Sequence, residues 1–196
     1  MKAKYLADTL KNVATYLHEY QEYMTSLKKN IFSVIGYVPK SKSREEKDTR
    51  KRLLDIMCSR LRSRSLVDRV FVAYCCNAND PLHTRDKKRQ ETVLEELKAD
   101  GDTKDMLRHI NTNNKVCLVA LDHAGLSTNC EDLEEFIRNN LSLQKITINP
   151  LPFNNKVIVY EREMLLNDSK LDWFQDFLKK IEMVPSDLPC KNIQAL

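Results

Sequence analysis

The chain has 196 residues, of which 42% are hydrophobic and 31% are charged. This composition is typical of a globular protein and excludes a disordered or membrane-like chain. No apolar run reaches the roughly 18 residues that a membrane-spanning helix needs. With only 3 glycines, the chain cannot form a glycine-rich phosphate-binding loop.

Apolar residues near the N-terminus repeat every 3.5 residues, the spacing of a coiled coil or a long amphipathic helix. The series is Leu6, Leu10, Val13, Leu17, Tyr20, Met24 and Leu27. Tyr5, Tyr16 and Tyr23 widen the apolar stripe, which also suits packing against the helix's own domain. Dimerisation through this helix and intramolecular packing are therefore both open.

A basic segment follows the first helix. Residues 1–70 hold 16 Lys and Arg against 8 Asp and Glu, whereas residues 71–196 hold 16 against 20. Such a surface attracts nucleic acid or an acidic partner by long-range Coulomb forces. The competing interpretation is a solvated helix face with i,i+4 ion pairs such as Glu46 with Arg50. The predicted basic docking face consists of Lys47, Arg50, Lys51, Arg52, Arg60, Arg62 and Arg64.

The basic segment also predicts a second helix. Gly36 and Pro39 break the preceding apolar run, and Ser43-Arg-Glu-Glu46 has the pattern of a capping box that opens a helix to about Arg64. We assign residues 1–66 to a helical arm, made of the heptad helix and the basic helix. Residues 67–184 are assigned to an α/β domain and residues 185–196 to a loose tail.

Beyond residue 67 the hydrophobic pattern alternates between strands and helices. Apolar runs predict strands at 69–76, 115–121, 143–149 and 156–161, with the last two close enough to form an antiparallel pair. Helical patterns occupy 85–99, 103–110, 128–139 and 169–183. This β-αα-β-α-β-β-α order predicts a three-layer α/β domain with a mixed, mainly parallel four-stranded sheet.

Several polar residues follow the predicted strands, where open α/β sheets bind ligands. If the first, second and fourth strands ran parallel, Asp80, Asp122 and Glu161 could converge and bind Mg²⁺ for phosphate-ester chemistry. These three, with His123, are the candidate catalytic residues. The competing interpretation is that such Asp residues are ordinary turn formers.

The six cysteines show no zinc-ligand spacing. Cys76, His123 and Asp122 could form a nucleophile, base and orienting group, although neighbouring cysteines at a strand end are more often core residues. The N-terminus lacks the apolar segment of a signal peptide. We therefore expect reduced cysteines and an intracellular protein, cytoplasmic or nuclear.

These patterns favour a non-catalytic interaction protein that needs no cofactor. In this hypothesis the N-terminal helix assembles with another protein or with a second copy. The basic arm docks on an acidic partner or nucleic acid, and the α/β domain is the scaffold. Contact with a membrane is not expected. The alternative is a Mg²⁺-dependent phosphoesterase or nuclease-like enzyme that uses the strand-end carboxylates, or a degenerate relative of one.

Overall fold

A computed structural model describes residues 2–41, 46–77, 79–150 and 157–167, and for residues 2–14, 75, 130 and 167 it describes the backbone alone. The helices are α1 (Lys2–Lys29), α2 (Lys47–Ser65), α3 (Glu91–Glu96), α4 (Thr103–Thr112), α5 (Cys130–Asn139) and α6 (Arg162–Asn167). The strands are β1 (Ser33–Ser41), β2 (Arg69–Cys76), β3 (Val116–Ala120), β4 (Leu143–Ile148) and β5 (Ile158–Glu161). A short 3-10 helix spans Leu82–Thr84. Within the described part of the chain, no helix is long and apolar enough to cross a bilayer.

The strands form one mixed sheet in the order β2-β1-β3-β4-β5. β1 is parallel to β2 and β3, β3 is parallel to β4, and β5 is antiparallel to β4. The predicted α/β class, the mainly parallel sheet and the antiparallel final pair are confirmed. The predicted number of four strands is wrong, because the sheet has five.

The additional strand, β1, lies in the segment that we assigned to the helical arm. Gly36 and Pro39 suggested that regular structure ends there, but the packing around Gly36 and the end of strand pairing near Pro39 let both residues occupy this strand. Gly36 lies directly under α2, where an added Cβ would approach Leu61 Cδ1 to 2.8 Å. Pro39 lies beyond Tyr37, where the pairing with β3 ends, so the N–H that proline lacks is not needed on that side.

Helices cover both faces of the sheet and make two apolar cores. Side chains of α1, α2 and α3 pack on one face, against residues that include Val38, Val72 and Val119. Side chains of α4, α5 and α6 pack on the other face, against residues that include Phe71 and Leu118. Because strand residues alternate between the two faces, these five strands supply both cores.

The end of the heptad stripe packs on the protein's own sheet. Tyr20, Met24 and Leu27 are buried in the core beneath α1 and α2, so this part of the stripe is used within the chain. The side chains of Leu6, Leu10 and Val13 lie outside the described residues, and dimerisation through them stays a prediction.

Two helix boundaries differ from the predicted ones. α2 begins at Lys47 with Glu46 as its N-cap, and the predicted cap Ser43 lies outside the described residues. The helix predicted at 85–99 is reduced to α3 at Glu91–Glu96. The predicted helix at 169–183 and the tail at 185–196 lie outside the described residues, and the division into arm and domain stays a prediction.

We predict that Gly36→Val lowers the free energy of unfolding by about 1–3 kcal/mol, because a larger side chain in the close contact with α2 overpacks that core. Ser41→Val is the matched control, since Ser41 is exposed at the end of the same strand. Urea denaturation measures both changes. Equal stability of the two variants would contradict the close packing of β1 under α2.

Candidate functional site

A buried arginine joins two loops at the end of the sheet where the parallel strands β1 to β4 finish, which we call the carboxyl edge. The end where these strands begin is the amino edge. Arg85 is 2% exposed. Its Nε donates to the carbonyl oxygen of Asp80 at 2.9 Å, and its Nη1 and Nη2 donate to the carbonyl oxygens of Gly125 at 2.8 Å and Leu126 at 2.7 Å. Asp80 follows β2 and Gly125 follows β3, so one guanidinium connects the loops on either side of β1. Its planar array of donors suits several carbonyl groups at once.

The same arginine continues into a buried polar network. Arg85 Nη1 donates to the Tyr37 hydroxyl at 3.2 Å, and that hydroxyl lies 3.0 Å from Thr103 Oγ1. The Asp86 carboxylate accepts hydrogen bonds from the backbone N–H and the hydroxyl of Thr103. Burial raises the pKa of Tyr37 well above its ordinary value, so its hydroxyl keeps its proton. The network holds Asp86 at a φ of 52°, a left-handed conformation that ends any helix there.

Beside this network lies a cleft of about 510 Å³ at the end of β2. Its lining includes Tyr74 from β2, Asp80 and Asp86, and the two exposed lysines Lys87 and Lys88. The Asp80 carboxylate accepts hydrogen bonds from Asn77, and Asp86 accepts those from Thr103. Both acidic side chains therefore have partners within the protein, while the two lysines stand at the rim.

A cation of α2 lies over the aromatic residue of the cleft. The guanidinium of Arg50 lies 5.5 Å from the centre of the Tyr74 ring, within the range of a cation–π interaction. Arg50 itself is buried, at 8% exposure. The fold thus brings an arginine of the predicted basic helix onto an aromatic residue of β2, which lines the same cleft as Lys87 and Lys88.

The predicted carboxylate cluster does not form as proposed. β5 runs antiparallel to β4, and Glu161 is paired with Lys145 at the start of β4. Glu161 therefore lies at the opposite edge of the sheet from Asp80 and Asp122, and β1 separates the strands that these two follow. Asp122 accepts a hydrogen bond from the backbone N–H of Gly125, as turn residues do. Among the described residues, no group of three His, Cys, Asp or Glu side chains could hold a metal ion.

His123 and Cys76 are also placed in different surroundings. His123 Nε2 lies 3.1 Å from the Tyr160 hydroxyl, in a small apolar cavity between β4 and α5. Cys76 lies in the lining of the cleft at the end of β2. β1 lies between β2, which carries Cys76, and β3, which His123 follows, so the structure does not support the predicted nucleophile and base. Burial raises the pKa of Cys58 and Cys117 to about 11, which keeps these two core thiols protonated.

The residues of the predicted basic docking face do not lie on one surface, because the helical repeat of α2 turns some of them toward the sheet and others toward solvent. Arg50 points inward with Leu54, Cys58 and Leu61. Lys51 pairs with Glu96 at 2.5 Å, and Arg62 donates to the carbonyl oxygen of Lys98. Lys47 and Arg52 are exposed, whereas Arg60 and Arg64 are half-buried. Exposed Asp48 and Asp55 flank Arg52, so the outer face of α2 is mixed in charge.

A serine and a histidine meet at the opposite, amino edge of the sheet. Ser33 Oγ and His109 Nε2 are 2.8 Å apart, and the His109 ring packs on Phe71 with centroids 5.7 Å apart. Burial, and then the charge of Arg69, lower the pKa of His109. The pair lies far from the cleft and joins the last turn of α4 to the start of β1, so we interpret it as a structural contact.

The residues that form the cleft were missed in the sequence for two reasons. Arg85 occurs at the start of an apparently helical pattern, and nothing in that pattern indicates its burial. Tyr74 lies within an apolar run that reads as core. The available signal was the cationic run Lys87-Lys88-Arg89 directly after a strand and turn, where parallel sheets bind ligands.

We predict that Arg85→Met lowers the free energy of unfolding by about 2–4 kcal/mol, because three carbonyl groups, of which that of Leu126 is in a fully buried hydrogen bond, lose their donor. Arg52→Met, at an exposed position of α2, is the control and changes stability by less than about 0.5 kcal/mol. Thermal and urea denaturation followed by circular dichroism measure both. A fully stable Arg85→Met protein would show that the guanidinium does not hold the two loops.

We also predict a pH dependence that originates from His109. Because the folded state lowers its pKa below the ordinary 6.5, protons bind the unfolded chain more readily. Stability is therefore lost as the pH falls from 6.5 toward the folded-state pKa. The glutamine amide of His109→Gln can still bond to Ser33 but does not titrate. We therefore expect this variant to lack the loss of stability that His109 causes below pH 6.5. Urea denaturation between about pH 5 and 8 compares the two chains, and parallel curves would contradict the assignment.

Comparison with protein-family models, with curated proteins and with solved structures found no match. The physical evidence for function is thus the carboxyl edge itself. It consists of a buried arginine network, a cleft, a lysine rim and an aromatic ring with a cation over it.

Proposed function

We propose that this chain is a non-catalytic binding protein that holds single-stranded nucleic acid at the carboxyl edge of its sheet. The observation that carries the proposal is Tyr74, which lines the cleft together with Lys87 and Lys88 and has the Arg50 guanidinium over its ring. Proteins that bind single strands combine cations along the phosphate backbone with aromatic rings on which bases stack.

The size of the cleft favours single-stranded nucleic acid over a duplex. A volume of about 510 Å³ falls in the range of small-ligand sites, which is roughly 300–1,000 Å³. It admits a nucleotide, whereas a duplex presents its bases inside the stack and offers the cleft only its phosphates. A nucleotide in the cleft would put its base near Tyr74 and its phosphate near Lys87 and Lys88.

The charge around the cleft supports an anionic ligand. Lys87 and Lys88 are exposed, and Lys40, at the end of β1, is close enough to Asp122 to influence that carboxyl group. The lining of the cleft includes the three cations Arg85, Lys87 and Lys88 and the two carboxylates Asp80 and Asp86, so positive charge is in excess there. Acidic protein segments would satisfy the same cations, but they would leave the aromatic ring unused. The ring therefore favours nucleic acid as the partner.

The geometry removes the main support for the magnesium-dependent enzyme. That hypothesis depended on Glu161 joining Asp80 and Asp122, and Glu161 lies at the other edge of the sheet. Without that third carboxylate, we propose that the cleft binds its ligand and does not cleave it.

The test is fluorescence anisotropy with a labelled single-stranded oligonucleotide of about 12 nucleotides. We expect Lys87→Glu with Lys88→Glu to weaken binding at least about tenfold at low salt, and the wild-type affinity to fall steeply as salt rises. Tyr74→Leu keeps an apolar side chain but removes the stacking surface, and we expect a loss of about 5- to 100-fold.

The matched control is Lys29→Glu with Lys115→Glu, which makes the same change of charge at the amino edge and leaves the affinity unchanged. A polyglutamate peptide that competes as well as the oligonucleotide would indicate an acidic protein partner instead. Absence of oligonucleotide binding at low salt, or full affinity in the Tyr74→Leu variant, would overturn the nucleic-acid proposal.

A further inference from the structure

The short 3-10 helix contributes to a second cavity, distinct from the cleft, which we call the acidic groove. The groove has a volume of about 280 Å³ and lies between the 3-10 helix, α4 and α5. Leu82, Leu107 and Phe136 supply its apolar surface. The polar residues of the lining are His83, Asn111, Asp132, Glu135, Asn139 and Asn140. Among the described residues that line the groove, there is no lysine or arginine.

The wall that the 3-10 helix forms is held in place by the rest of the protein. Leu82 is buried in the core between the sheet and the helices α4 and α5. The backbone N–H and the hydroxyl of Thr84 both donate to the carbonyl oxygen of Pro81 at 2.9 Å. Arg85 Nε holds the preceding carbonyl, that of Asp80. The wall is therefore formed before a ligand binds, which lowers the entropic cost of binding.

Two carboxylates of α5 line the groove and keep acceptor capacity for a ligand. Asp132 is half-buried, and within the described part of the chain no hydrogen bond or ion pair reaches its carboxylate. Glu135 is exposed and accepts one long hydrogen bond, from Asn139 Nδ2 at 3.4 Å. An ionised carboxylate has about four lone-pair positions, so most of those on these two side chains remain open.

The cations on α4 and α5 do not neutralise these carboxylates. Arg108 of α4 pairs with Asp105 at 3.0 Å, and Arg138 of α5 pairs with Glu134 at 2.5 Å. Lys104, one turn before Arg108, is exposed and does not line the groove. The groove therefore carries an excess of negative charge, which attracts a cation.

A buried amide adds one more acceptor at the end of α5. Asn140 is 6% exposed and lines the groove. Its Nδ2 donates to the carbonyl oxygen of Phe136 at 2.7 Å, and its backbone carbonyl accepts from Arg162 Nη1 at 2.9 Å. Its Oδ1 accepts no hydrogen bond from the residues that the structure describes. Because buried polar atoms normally have partners, this oxygen in the wall of a groove suits a ligand that donates to it.

We propose that the acidic groove binds an arginine side chain presented by a segment of a partner protein. A guanidinium carries five N–H donors in one plane and pairs with carboxylates and amide oxygens together, whereas the compact ammonium group of lysine reaches fewer acceptors. The aliphatic part of an arginine side chain can lie on Leu82, Leu107 and Phe136 while its charged end meets Asp132 and Glu135.

The size of the groove sets how much of the partner enters it. Its volume of about 280 Å³ lies just below the roughly 300–1,000 Å³ of small-ligand sites. It therefore holds one side chain, and the rest of the segment lies outside, along α4 and α5. This surface is separate from the cleft, and the proposal does not depend on the nucleic-acid function.

The experiment is fluorescence anisotropy of the full chain with a short labelled peptide in which serines separate several arginines. The same peptide with citrulline in place of arginine keeps the length of the side chains and loses their charge. We expect the arginine peptide to bind at least about tenfold more tightly than the citrulline peptide, and its affinity to fall as salt rises. In the variant Asp132→Asn with Glu135→Gln, we expect the affinity for the arginine peptide to fall at least about tenfold.

Two comparisons separate the groove from general charge attraction. Asp48→Asn with Asp55→Asn removes two exposed carboxylates from α2, on the other face of the sheet, and leaves the affinity unchanged. Leu107→Lys puts a tethered ammonium group into the groove, so we expect it to block the peptide, whereas Leu107→Met does not.

Two results would contradict the arginine assignment outright. They are equal affinity for the arginine and citrulline peptides, and full affinity in the variant Asp132→Asn with Glu135→Gln. Spermidine that displaces the peptide at an equal concentration would also overturn the proposal, in favour of a polyamine as the ligand. Lys87→Glu with Lys88→Glu loses oligonucleotide binding and retains peptide binding, so failure of one proposal is distinguishable from failure of the other.

Discussion

The carboxyl edge of this protein depends on one buried guanidinium. Arg85 places its charge beneath the loops that follow β2 and β3, and backbone carbonyl groups satisfy its donors. Removing a charge from water is costly unless it is well hydrogen-bonded, so the loops must keep their carbonyl groups aimed at this site. The conformation of Asp86 follows from the same network, and Lys87 and Lys88 leave it directly at the rim of the cleft. The position of the cationic rim is therefore a consequence of a buried charge two residues away.

The parallel sheet gives its two edges different chemistry. At the carboxyl edge, loops leave the strands around a polar network, and the side chains there are cationic, aromatic and hydrogen-bonded. At the amino edge, α1 and α5 each pass into a strand through a short connection that carries an exposed aliphatic residue. The antiparallel β5 adds to this contrast, because it returns the chain to the amino edge and takes Glu161 away from the carboxyl edge. One reversed strand thus removes the basis of the magnesium site.

The sequence predicted the elements whose apolar pattern is strong. β2 and β3 are continuous apolar runs, and their buried positions follow from that pattern alone. β1 was missed because Gly36 and Pro39 are unfavourable in most strands, and only the packing of α2 on Gly36 and the end of the pairing with β3 explain them. The antiparallel direction of β5 determines at which end of the sheet Glu161 lies. A hairpin between the last two strands was predicted, but its consequence for the carboxylates follows only once all strands are placed.

The basic residues of α2 face different directions, which explains why a run of positive charge in the sequence did not predict the position of the site. A run of cations becomes one surface only when the helical period puts its members on one side, and in α2 that period aligns Arg50 with Leu54, Cys58 and Leu61 toward the sheet. The inward position brings Arg50 over Tyr74, an aromatic partner that the basic segment itself lacks. Lys87 and Lys88 come from a different element, a loop that lies more than thirty residues after Arg50 in the chain. The cationic surface that can contact a phosphate is therefore a product of tertiary structure, because Arg50 of α2 lies over Tyr74, which lines the same cleft as Lys87 and Lys88.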